Sequence, residues 1–97
     1  MTFRSKKLLA LAKDRPCVLC GSKGTTVAAH ANSVALGKGR GIKAPDCCVA
    51  YVCQDHHDQI DGKAPLNCAY TTPFEMWQWA HAKTVLLWFT EGIVEVK

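Results

Sequence analysis

The chain lacks any long hydrophobic run. Its longest apolar stretch near the C-terminus is Val85-Leu86-Leu87-Trp88-Phe89, against the roughly 20 residues that span a bilayer, which excludes a membrane-spanning helix and a membrane partner. The early stretch Leu8 to Ala12 is five residues long and runs straight into Lys13-Asp14-Arg15. A secretory signal needs about 7–15 apolar residues at that point, so the expected location is cytoplasmic. Internal repeats and low-complexity segments are also missing, and with 48% hydrophobic and 21% charged residues the composition is that of a folded chain. Acid is scarce in the first half. Residues 1–43 hold nine Lys or Arg and one acid, Asp14, a balance of +8, whereas residues 44–97 hold three Lys and seven acids, a balance of −4. Such a split points to a polyanion partner for the basic half and to cations for the acidic half.

What is present in excess is cysteine and histidine, six and four in 97 residues. The length gives one domain, residues 1–97, with no room for a second core. A domain of this size buries only about 60–65% of its unfolded surface, so an added staple is valuable. In a cytoplasmic chain, clustered Cys and His are metal ligands before they are disulfides.

Local patterning predicts an α+β unit in the order helix, strand, loop, strand, helix, helix. Leu8, Leu11 and Ala12 give residues 4–14 an apolar helical face, closed by Pro16. Thr25 to His30 reads as a strand, and Cys48 to Cys53 as a second. Between them, residues 31–46 form a basic, glycine-rich loop. Gln54 to Asp61 reads as a short helix with Gly62 at C′. Thr72, Pro73 and Glu75 stand at N-cap, N1 and N3 of a long C-terminal helix that Gly92 stops. On it, Phe74, Trp77, Ala80, Thr84 and Trp88 make the expected buried stripe. All three tryptophans are assigned to the core, His81 to a structural role, and Ile93 to Val96 to a last strand.

Cys17-x-x-Cys20 and Cys53-x-x-His56 are two halves of a zinc site. Zinc takes four N or S ligands in a tetrahedron, and one tight turn can supply two of them. Cys47, Cys48 and His57 compete for the fourth position, and Cys68 is expected to be a core thiol. His57 follows His56 and, on a helix, points about 100° away from it. It lies at i, i+4 with Asp61, so imidazole and carboxylate share a face and can hold a divalent cation.

This assembly resembles the HNH, or ββα-metal, nucleases. The run His30-Ala31-Asn32, Gly37-Lys38-Gly39, Lys43-Ala44-Pro45-Asp46 and Cys53-x-x-His56-His57-Asp58-x-Ile60-Asp61-Gly62 is similar to the small prophage-encoded nuclease family of YbcO type. That resemblance covers roughly residues 15–62. It implies a zinc-stapled ββα-metal core carrying an N-terminal helix and a long C-terminal helix. It implies a metal-dependent endonuclease that hydrolyses phosphodiester bonds in DNA, with His30 as general base. His57 and Asp61 would hold Mg²⁺ or another divalent cation, beside a structural Zn²⁺ on Cys17, Cys20, Cys53 and His56. Lys38, Arg40 and Lys43 would hold backbone phosphates, and a recombination protein is a candidate partner. Asn32 and Asp46 both qualify as the family's middle polar residue. The chain departs from the pattern at Ala29, where many relatives carry a metal ligand. The rival expectation is a zinc-stapled module that binds nucleic acid or protein without catalysis.

Overall fold

The computed structural model describes residues 3–32, 36, 38–39 and 42–95. Arg40, named above as a phosphate contact, lies outside the described residues, as does Val96. The order of elements is the expected one. Helix α1 spans Lys6–Ala10 and tightens into a 3₁₀ turn over Leu11–Asp14. Strands β1 (Val27–His30) and β2 (Val49–Val52) follow, then α2 (Gln54–Ile60) and α3 (Pro73–Thr90).

β1 and β2 pair antiparallel, with Val27 opposite Val52 and His30 opposite Val49. Side chains alternate between the faces of a strand, and here each face feeds its own core. Ala29, Ala50 and Val52 join Cys53, Ile60, Met76, Trp77 and Ala80 on one side. Val49 and Tyr51 join Leu8, Ala12 and Trp88 on the other. Burial on both faces is why residues 49–52 read as a continuous apolar run rather than an alternating one.

A two-stranded sheet has open edges, and unpaired edges are unstable or adhesive. α3 covers the outer edge of β2 with side chains. Tyr51 N–H donates to Thr84 Oγ1 at 3.0 Å, Thr84 passes its own proton to Ala80 O at 2.8 Å, and His81 Nδ1 donates to Val49 O at 2.7 Å. Val18 N–H takes the remaining acceptor, Tyr51 O, at 3.0 Å. That bond docks the Cys17–Cys20 turn against β2.

The helix caps follow the sequence. Thr72 Oγ1 accepts from Glu75 N at 3.0 Å, and Glu75 Oε1 reaches back to Thr71 N at 2.9 Å. Gly62 has φ 79°, the left-handed conformation that a side chain would resist.

Four expectations are corrected. Ile93 and Val94 are not a strand: both N–H groups turn back onto Trp88 O, closing the α3 terminus. Phe74 is exposed and Met76 takes the buried position, because the stripe through Ala80, Thr84 and Trp88 passes through Met76 and Trp77. Trp79 is 59% exposed, on the face of α3 turned from the sheet. Cys68 is exposed rather than a core thiol.

Candidate functional site

Two turns create the metal centre. Cys17 N–H bonds Ser22 O and Gly21 N–H bonds Cys17 O, both at 2.8 Å, folding Cys17 and Cys20 into one knuckle. Gly21 has φ 76°, which completes that turn. On the opposite side Cys53 is the N-cap of α2, so His56 stands at N3 in the same first turn. Among the described residues, Cys17, Cys20, Cys53 and His56 form the one group of three or more ligating side chains, with every donor atom within 4.8 Å of the others. Cys20 Sγ and Cys53 Sγ are 3.8 Å apart, and His56 Nδ1 lies 3.5 Å from Cys17 Sγ and 3.2 Å from Cys53 Sγ. With Zn–S near 2.3 Å and Zn–N near 2.0–2.1 Å, a tetrahedron places two sulfurs about 3.8 Å apart and sulfur and nitrogen about 3.5 Å apart. The four residues therefore form a cluster that can hold a metal ion, and its dimensions fit zinc. Cys47, Cys48 and His57, the competitors for the fourth place, are not in it.

The thiols influence one another's ionisation. Burial pushes Cys53 up to about 11; a backbone hydrogen bond from His56 opposes the rise and charge on Cys17 adds to it. Burial works against ionisation of Cys17 as well, but backbone hydrogen bonds from Cys53, Leu19 and Cys20 outweigh it and leave the thiol below its ordinary value. Once one sulfur ionises its neighbours resist, and a divalent ion among them removes that conflict.

The second feature is a cleft of about 600 Å³ between β1, α2 and the 31–46 loop. His30 from the end of β1, His57 from α2, Asp61 from its C-cap, and Lys38 and Lys43 from the loop all line it. The structure thus brings together every described residue that the sequence assigned to catalysis, cation binding or phosphate contact. Sequence reasoning missed two further polar lining residues, Gln54 and Lys63. His57 Nε2 and Asp61 Oδ2 are 3.4 Å apart, and Gln54 Nε2 donates to Asp58 Oδ1 at 2.9 Å while approaching His57 Nδ1 at 3.4 Å.

His30 is held by a residue from the far end of the loop. Its Nε2 lies 2.8 Å from Asp46 Oδ1, and Asp46 is buried. The same carboxylate accepts from Ser5 N at 2.7 Å and from Arg4 Nη1 at 3.1 Å. Arg4 also donates to Ala44 O and Lys43 O, which ties it to residues 43–46. Burial alone would raise the Asp46 pKa, but the bonds from His30, Ser5 and Arg4 hold it below the usual carboxylate value. An ionised carboxylate can only accept, so His30 donates from Nε2 and a neutral ring keeps its lone pair on Nδ1. Of the two candidates for the middle polar residue, Asp46 contacts His30 and Asn32 lines the cleft.

No model of a known protein family matches this sequence, and no curated protein matches it. A solved structure does: a protein from Escherichia coli str. K-12 substr. MG1655 described as a "putative bacteriophage protein". The two superpose with a TM-score of 0.65 over 87% of this chain and 98% of that one, at 24% sequence identity. The likeness is one of fold.

Proposed function

We propose that this chain is a metal-dependent endonuclease of the HNH type, of phage or prophage origin, that hydrolyses phosphodiester bonds in DNA. One observation carries the reading: a single cleft holds a histidine oriented by a buried carboxylate, a His–Asp pair at a helix whose first turn carries two candidate metal ligands, and two loop lysines. A fold shared with an Escherichia coli protein described as a "putative bacteriophage protein" supports the origin.

In this reading His30 takes the proton of a water molecule at Nδ1 while Asp46 stabilises the imidazolium through Nε2. The water attacks phosphorus in line with the departing 3′ oxygen. His57 and Asp61 would hold a divalent cation, whose charge would neutralise that leaving oxygen. Lys38 and Lys43 hold flanking phosphates, contacts that bind without reading sequence. The zinc centre fixes the start of α2 and so the aim of His57 and Asp61.

A second reading, a zinc-stapled binding module without catalysis, draws on Ala29. Its side chain is buried in the sheet's α2 and α3 side, so the position before His30 brings no ligand to the cleft. Nicking of plasmid and branched DNA, measured with Mg²⁺, Mn²⁺ or no added metal, separates the two. The nuclease reading expects metal-dependent cleavage that His30→Ala reduces by about 10²–10⁴-fold, with zinc content and melting unchanged. No cleavage with any metal, or equal cleavage by wild type and His30→Ala, refutes it.

A further inference from the structure

Beside the cleft lies a second cavity of about 340 Å³, and Asn32 and Asp61 line both. Its remaining walls are largely apolar, with Ile60, Pro73, Phe74 and Trp77 among them. We infer that this cavity is a slot for one unpaired nucleobase next to the phosphate held in the cleft, an assignment that rests on the proposed nuclease reading and adds a substrate class to it.

The reason is a stack of flat rings that ends at the cavity. Trp77 lies 4.7 Å from His81 with an 8° interplanar angle, and Phe74 lies 5.7 Å from Trp77 at 17°. The stack is fixed from behind, since Trp77 Nε1 donates to Ala29 O at 2.9 Å and His81 Nδ1 to Val49 O at 2.7 Å. Phe74, its outer member, is 36% exposed. A rigid aromatic ring at the surface is unfavourable to leave wet and is an effective base-stacking platform. Asn32 offers an amide donor and acceptor, the pair that matches a base edge. The volume stands at the small end of ligand pockets, roughly 300–1,000 Å³, and suits one ring system rather than a peptide segment.

The cleft and the slot adjoin, with Asn32 and Asp61 on the shared wall, so a phosphate in one and a base in the other can belong to neighbouring parts of one strand. A base inside an intact duplex has both faces covered, and reaching the slot would require extruding it. The slot therefore selects single-stranded DNA, or the unpaired nucleotides of a branch or junction, over continuous duplex.

Binding measured by fluorescence anisotropy, with zinc retained and no other divalent ion added, tests this apart from cleavage. The probes are oligothymidylate, an abasic sugar–phosphate strand of the same length, and a duplex. Wild type should prefer the base-bearing strand over the abasic one by roughly 5- to 150-fold, the usual range for one stacked base. Phe74→Ala and Phe74→Leu should bind both strands alike and bind duplex as wild type does. Wild type that ignores the missing bases overturns the slot and leaves the nuclease reading standing. So do well-folded Phe74 variants that keep the wild-type preference. Wild type that binds none of the three probes overturns both. Should both variants misfold, the wild-type comparison of the two strands decides alone.

Discussion

Asp46→Asn changes one oxygen for an amide and keeps the shape, yet it should be among the most damaging single-atom changes in this chain. The carboxylate receives three donors, Ser5 N, His30 Nε2 and Arg4 Nη1, at 2.7, 2.8 and 3.1 Å. An asparagine has one acceptor oxygen, and its NH₂ group must then face a donor. One buried donor is orphaned, which costs about 1–3 kcal/mol. The lost attraction to Arg4 adds less, about 0–1 kcal/mol, because that side chain is 45% exposed and screened by water. A total near 2–3 kcal/mol lowers the melting temperature of a chain this size by roughly 10–20 °C. The pH dependence has a definite sign. Because folding depresses the Asp46 pKa, its contribution is full above the unfolded value near 3.9 and is lost as pH falls through the folded value. The gap between wild type and Asp46→Asn should therefore be intact at pH 7 and shrink only in acid. Urea denaturation of both proteins across that range measures it. In the same variant His30 exchanges a charged acceptor for a neutral amide oxygen, which stabilises an imidazolium less, so any cleavage should fall as well. A melting temperature within about 2 °C of wild type at pH 7 would show that the Arg4–Asp46–His30 network is not what holds the loop.

Three further outcomes are expected. Purified protein should carry one zinc per chain by elemental analysis, and a strong chelator or Cys20→Ser should abolish the cooperative melt, since structural zinc supplies folding free energy directly. Tyr51→Phe should cost about 1–3 kcal/mol by urea denaturation. Its hydroxyl donates to Leu8 O and accepts from Trp88 Nε1 at 3.1 Å, linking α1 to α3 through the core, and burial holds its pKa above the usual tyrosine value. Neutralising Lys38, Lys43 and Lys63 together should flatten the dependence of DNA affinity on salt, by about 0.9 in log–log slope for each phosphate that no longer meets a cation.

The features that were legible in the sequence are those whose physics is local. Thr72-Pro73-x-Glu75 makes a helix start from four adjacent residues, and Gly62 and Gly92 mark ends through their own backbone. The Cys17, Cys20, Cys53 and His56 cluster was legible because each half is a turn of four residues, and only their meeting was left to the fold. The phase of α3 was not. Apolar side chains surround that helix, so Phe74, Met76, Trp77 and Trp79 offer several stripes, and the partner surface of β2 decides among them. Asp46 illustrates the same limit at the site. Nothing near it in sequence distinguishes it from Asn32 as the partner of His30. The choice is made by Arg4 and Ser5, some 40 residues away, which no local pattern connects to it.

Those long-range links explain how so small a core can present an ordered cleft. The cleft has two walls, and each is fastened separately. His57 and Asp61 ride on α2, whose first turn is tied through Cys53 and His56 to the Cys17–Cys20 knuckle. His30 is aimed by Asp46, which Arg4 and Ser5 tie to the start of α1. Between the walls run only four residues of β1 and four of β2, too little sheet to hold two groups of side chains rigid by itself. Cross-links therefore do for each wall what packing does in a larger domain. Because the fastenings share no residue, they differ in reach. Loss of the metal cluster should unfold the chain, whereas Asp46→Asn should loosen His30 while leaving the four candidate metal ligands in place.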